Sequence, residues 1–276
     1  MLKRVFVVLS LIPFSIFNCD KNEVKEDNQI VREETPSIEV DELPVVEIDE
    51  DNEIEEKDYK KIPSYIYLKL ASFSSYKAVT KGKTNAFIVT QNIDALVIKG
   101  EYSYLRNDSH SSLVNTTHEA YYHEKEALYR DSESGEYTLS DISSYLNIYG
   151  TYPFDTSLEG YLISEEHIKS VTKISHENST YTFNVVFDEV TSTNNVKIQM
   201  KKFGGLSDYP TFSLIEMNLT FKEDFTLESL SLHSKYKAKT GLITANCEQN
   251  YVVSYSNYNE YIEIANLETI KPLFSK

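Results

Sequence analysis

Between positions 211 and 222 the chain alternates: Leu214, Glu216, Asn218 and Thr220 are interleaved with Ile215, Met217, Leu219 and Phe221. A period of two sends successive side chains to opposite faces of an extended strand, so this segment predicts a strand with one wet and one buried face. Segments of the same kind recur as SYKAVTKGKTNAFIVTQN, ALVIKGEYSYLRN, SLVNTTHEAYYHE, STYTFNVVFDEV, LESLSLHSKYKAK and NYVVSYSNYNEYIEI. All are rich in β-branched and aromatic residues. Lys99-Gly100, Glu124-Lys125, Lys222-Glu223-Asp224 and Thr240-Gly241 separate strand-like runs in the manner of hairpin turns. Sequential hairpins build an antiparallel meander, and seven or more strands curl.

Helical periodicity is scarce. In SDISSYLNIYG, Ile142, Tyr145, Leu146 and Tyr149 fall at helical spacing, with Ser140 placed to cap the start and Gly150 to end it. TSTNNVKIQMKKFGG fits both periods, since Val196, Ile198 and Met200 alternate while Val196, Met200 and Phe203 form a helical stripe. The Ser192-Thr193 start, the late Lys201 and Lys202 and the Gly204-Gly205 stop favour the helix. A shorter helical turn is expected after Ser164, with Ile168 and Val171 on one face. The fold class is therefore α+β: a large curved antiparallel sheet, a half-barrel with two or three helices packed on its concave side. The space between sheet and helices is then either filled core or an apolar cavity.

The N-terminus carries a destination. Lys3 and Arg4 precede an apolar run from Val5 to Phe17, which has the length of a signal peptide and is too short to cross a bilayer as a helix. Residues 1–18 are read as that signal. From Asp20 to Lys61 there are 17 Asp and Glu against 6 Lys and Arg, with few large apolar residues. Such a composition cannot bury enough surface to offset the entropy of ordering, so 19–61 is expected to be a disordered acidic tether, with Pro36, Pro44 and Pro63 discouraging a helix. A flexible chain of that length spans about 35 Å. Residues 62–276 are expected to form a single globular domain, large enough to bury roughly 70% of its unfolded surface. The whole chain carries a net charge of −16, which argues against nucleic acid as a partner. Its aromatic character comes from 21 Tyr, with no Trp.

No catalytic constellation emerges. THEAYYHEKE offers His118, Glu119 and His123, but the two histidines are five apart rather than four, and on a strand they point to opposite faces. His110, His167, His176 and His233 are scattered, and no G-x-S-x-G elbow or phosphate loop is present. Glu165 and Glu166 are adjacent acids suited to a helix start. The body contains one cysteine, Cys247, which reads as a small buried hydrophobe and not a disulfide partner. The Tyr-rich stretch YLNIYGTYPFDTSLEGYL suits either the rim of a ligand cavity or the filling of a Trp-free core. The chain therefore reads as a non-enzyme with no cofactor and no metal.

Three resemblances add to this. Ile16-Phe17-Asn18-Cys19 resembles the lipobox of bacterial lipoproteins, with Ile16 and Asn18 where that family prefers Leu and a small residue. It implies that Cys19 becomes a lipidated N-terminus and that the protein is extracytoplasmic, lipid-anchored to the bacterial cell membrane. The signal, the tether and a curved sheet over 62–276 are together similar to lipoprotein carriers of the LolA/LppX type, which implies an unclosed barrel around a lipid-like or hydrophobic ligand. NNVKIQMKKFGGLSDYP resembles small lipoproteins of low-GC bacteria, which implies no activity. On the carrier reading, Val196, Met200 and Phe203 are the helical face that closes the cavity. The alternative is a non-enzymatic envelope protein whose tether displays a packed β-rich domain for partner binding or adhesion.

Overall fold

The computed structural model describes residues 53–87, 89–153, 158 and 160–274. The signal segment, Cys19 and the acidic stretch up to position 52 lie outside the described residues.

Eleven strands make one antiparallel sheet: β1 (Tyr76–Ala86), β2 (Val89–Lys99), β3 (Ser103–Ser111), β4 (Asn115–His123), β5 (Glu126–Arg130), β6 (Thr138–Asp141), β7 (Ile168–Glu177), β8 (Thr180–Phe187), β9 (Thr211–Lys222), β10 (Leu227–Thr240) and β11 (Ile243–Ser256). Their order is β6-β5-β4-β3-β2-β1-β11-β10-β9-β8-β7. The first and last strands therefore pair at the centre, and β6 and β7, consecutive in sequence, lie at opposite edges. All four expected hairpin turns fall between paired strands.

Helices α1 (Ile62–Ser72), α2 (Ile142–Tyr149) and α3 (Asn194–Gly204) cover one face. Ile62, Ile66 and Leu70 of α1, Tyr145 and Tyr149 of α2, and Val196, Met200 and Phe203 of α3 share a single apolar cluster with residues from β1 to β5 and β7 to β11. A flat sheet would hold β4 and β8 roughly 34 Å apart at about 4.8 Å per strand. The 11-residue α3 spans only about 16 Å, yet it follows β8 and sets Phe203 with its ring centroid 5.2 Å from that of His118 on β4. The sheet is curled around its helices, and it is not closed. Gly82 marks a close approach of β1 to β11: a Cβ there would overlap Tyr251 and lie 2.6 Å from the Asn250 carbonyl oxygen.

Alternate residues of β2 to β5 face the other way. Ile98, Tyr104, Tyr121 and Leu128 form a second cluster with Ile264, Ile270 and Phe274, under the short helix α4 (Leu267–Ile270). The three helices of the concave face are as expected, and α4 adds a short fourth helix on the outer side. On that outer side the buried Glu119 accepts from Tyr104 at 2.8 Å, Tyr137 at 2.6 Å and Arg130 Nε at 2.7 Å.

Several expectations are corrected. Asp141, not Ser140, caps α2, its carboxylate accepting from the Ser144 N–H at 2.9 Å; Gly150 ends the helix at φ 72° as expected. After a 3-10 turn at Glu165–His167, Ile168 and Val171 belong to strand β7 and not to a helix. Helix α1 begins with Pro63 in its first turn, where the missing N–H costs nothing, so this proline starts a helix instead of discouraging one. The folded body also begins before position 62. Ile54 and Asp58 are buried, Tyr59 packs edge-on against Phe183, and Glu53 pairs with Lys173 and His176 beside β7. The last nine residues assigned to the tether are thus part of the domain.

Candidate functional site

The inner face changes character along the strands. Toward one end, Tyr76, Leu227, Leu230, Phe221 and Val253 are buried in the same apolar cluster as α1, whose Tyr65 packs on Phe225, itself stacked on Phe221. Toward the β1–β2 and β10–β11 hairpins, the inward positions turn polar. Cross-strand register places Ser234 opposite Gln249, Gln249 opposite Thr84 and Thr84 opposite Gln91, while Ser109 lies opposite Thr116. The Gln91 amide donates to the Ser109 hydroxyl and joins the two halves of the row. This row crosses β10, β11, β1, β2, β3 and β4, about 24 Å at the usual strand spacing. Asn107, two residues back along β3 and opposite His118, extends it. Beyond the row, Ala86, Cys247 and Tyr236 restore apolar packing at the rim.

These groups are deeply buried and poorly paired. Asn107 and Gln249 are both 0% exposed, and neither amide finds a partner for its nitrogen or its oxygen among the described residues. The Thr116 hydroxyl is likewise unpartnered. Tyr161, from the connection between α2 and β7, roofs the row: its hydroxyl lies against that of Ser234, and the Tyr236 hydroxyl lies against that of Thr84, in neither case closing a hydrogen bond of regular geometry. Burial pushes both phenols well above their ordinary range and the Cys247 thiol up to about 12.

His118 stands at the end of this zone and is fully engaged. Its Nδ1 donates to Asp131 Oδ1 at 2.7 Å, because a carboxylate only accepts, and its Nε2 accepts from the Tyr145 hydroxyl at 2.8 Å. Tyr149 donates to the second Asp131 oxygen at 2.9 Å. Tyr145 is fully buried among Tyr129, Tyr149 and His118, so this array fastens α2 to β4, and its Asp131 carboxylate, 39% exposed, reaches the surface. His123 lies on the opposite face, stacked on Tyr102 at 4.0 Å. The two histidines that suggested a metal are thus separated by the sheet, and no group of three metal-ligating side chains occurs among the described residues. Glu165 and Glu166 stand on an exposed 3-10 turn.

Val196, Met200 and Phe203 do share the inner face of α3, at 2%, 2% and 1% exposure. Phe203 packs on Tyr149 with ring centroids 4.6 Å apart. The Gly150 Cα lies so close to α3 that a Cβ there would meet the Gln199 Cα at 3.0 Å. On the outer face, an open groove of about 610 Å³ is lined by Lys81, Asn92, Asn184, Asn218, His233 and Asn250. Sequence reading missed the polar row, although Gln249 stands out as a polar residue in phase with Cys247, Tyr251 and Val253.

No family model and no curated protein sequence matches the chain. Among solved structures it is similar to a DUF1329 family protein from Desulfovibrio piger (11% identity, TM-score 0.28, covering 76% of this chain and 95% of that one). It is similar also to a hypothetical protein from Chlamydia trachomatis (5%, 0.26, 67% and 93%) and a LolA superfamily protein from Nitrosomonas europaea (10%, 0.26, 72% and 90%).

Proposed function

We propose that the protein is a membrane-anchored, extracytoplasmic binding protein that holds a lipid-like or otherwise hydrophobic molecule between its curled sheet and helices α1 to α3. The observation that carries this reading is the pair of unpartnered, fully buried amides, Asn107 and Gln249. A buried polar group without a partner costs about 1–3 kcal/mol, a cost that an apolar side chain at either position would remove. A domain that takes a guest accepts this cost in the free state, because the guest supplies the partner. Anchoring is supported by Lys3, Arg4, the Val5–Phe17 run and Cys19, with the acidic stretch after Cys19 as spacer. Two acyl chains on Cys19 would hold the protein stably at about 0.8 kcal/mol per buried methylene. The activity is binding, without catalysis, cofactor or nucleic acid.

A second reading draws on a different observation. Val196, Met200 and Phe203 are buried in continuous apolar packing, as in a filled domain that an envelope protein displays for partner binding or adhesion. Native mass spectrometry of the full chain purified without detergent, followed by organic extraction, separates the two. A stoichiometric lipid supports the carrier. A bare protein mass that persists after incubation with envelope lipids supports the display domain and removes the carrier.

A further inference from the structure

We infer that the guest is a neutral amphiphile, an acyl chain bearing an uncharged head with hydroxyl groups, and that this head sits on the buried polar row with the chain running toward α1. The inference rests on the carrier reading above and adds the chemistry of the ligand and its orientation.

Three observations converge on it. The first is the inner face's gradient: aliphatic and aromatic beside α1, polar at Ser234, Gln249, Thr84 and Gln91, one register step inside the hairpin rim. A molecule that matches both zones is itself apolar at one end and polar at the other. The second is the identity of the orphan atoms. Asn107 and Gln249 each leave a donor and an acceptor without a partner, and Thr116 leaves a hydroxyl. An anionic head satisfies the N–H groups and repels the two carbonyl oxygens; a cationic head does the reverse; a hydroxyl donates and accepts at once. The third is charge. Of the buried residues only Asp58 and Glu119 are carboxylates, and no Lys or Arg is buried among the described residues. Asp58 is paired with Lys61 at 2.5 Å before α1, and Glu119 lies on the outer face with Arg130. On the inner side, the Asp131 carboxylate near the row is already held by His118 and Tyr149 and repels an anionic head; among the described residues no buried Lys or Arg offers a counter-charge to one, and an ion buried without a counter-charge is strongly disfavoured.

The test uses three probes with comparable 18-carbon chains: monoolein, with a glycerol head; oleate at pH 8, with a carboxylate; and 1-octadecene, with no polar head. The full chain is incubated with each, and retention is read by native mass spectrometry. The expected result is at least tenfold greater retention of monoolein than of either other probe. In an Asn107→Leu/Gln249→Leu variant this preference should collapse at least tenfold, while retention of 1-octadecene persists and the melting temperature does not fall. If the double variant fails to fold, Gln249→Met alone carries the comparison. Equal retention of the three probes, or stronger retention of oleate, overturns the inference and leaves the carrier reading standing. An undiminished preference in the folded variant overturns the assignment of the amides. Retention of none of the probes overturns both.

Discussion

Replacing Gln249 by Met should make the ligand-free protein more stable, an unusual outcome for a substitution in the centre of a sheet. Gln249 sits on β11 between Ser234 of β10 and Thr84 of β1, with no exposure and no partner for either amide atom among the described residues. Removing an unpaired buried amide relieves about 1–3 kcal/mol. Met is unbranched and similar in length, so the steric cost of the exchange is under about 1.5 kcal/mol. The expected gain is about 1–2 kcal/mol, which for a domain of this size raises the melting temperature by roughly 2–8 °C. Gln91, directly across β1, provides the control: its amide donates to Ser109, so Gln91→Met should destabilise by about 1 kcal/mol while leaving that hydroxyl without its partner. Urea unfolding followed by tyrosine fluorescence measures both, with an unchanged denaturant slope certifying that stability alone has moved. A loss of 1 kcal/mol or more in Gln249→Met would mean that the amide is already satisfied without a guest and that the row is not a binding site.

Other parts of the fold are open to equally direct tests. Gly82→Ala forces a Cβ into the Tyr251 side chain and the Asn250 carbonyl, and should cost about 1–3 kcal/mol in urea unfolding; a neutral result would show that the close approach of β1 to β11 does not need glycine. Arg130→Met strands the buried Glu119 carboxylate and should cost about 3 kcal/mol. Burial raises the Cys247 thiol from an ordinary 9.0 to about 12, and raises Tyr161 and Tyr236 as well, so the folded state holds these protons more tightly than the unfolded chain. Their contribution to stability is complete below pH 9 and is lost as pH climbs toward 12. A melting temperature that stays flat from pH 9 to 11 would count against the buried setting of all three.

Much of the architecture is legible because alternation survives wherever one face is dry. β9 and β10 show their buried phase openly, the four hairpin turns fall where charged or Gly-containing turns break the runs, and the stripe Val196, Met200, Phe203 marks α3. β7 was hidden for the opposite reason: as an edge strand it leaves most of its residues at least partly exposed, so Ile168 and Val171 carry no clean period. α1 was hidden by Pro63, a helix breaker in most positions and a helix starter in the first turn. The polar row is a property of register. Its members come from six strands separated by up to about 165 residues in the chain, and only the pairing of β1 with β11 brings Thr84 beside Gln249. His118, a weak metal ligand by spacing, proves to be a fastener, because its partners Asp131 and Tyr145 lie in segments with no shared motif.

The central claim is that the interior accepts a guest at the polar row, and the absence of tryptophan from the chain allows a direct optical test. Tyr161 roofs the row with its ring fully buried, so Tyr161→Trp places a single indole reporter over Ser234 and Tyr236. Titration of that variant with monoolein should shift the emission maximum and saturate at one equivalent, while the same titration in the presence of Asn107→Leu and Gln249→Leu should not. An emission spectrum unmoved by saturating monoolein, in a variant that melts like the parent, would contradict the account.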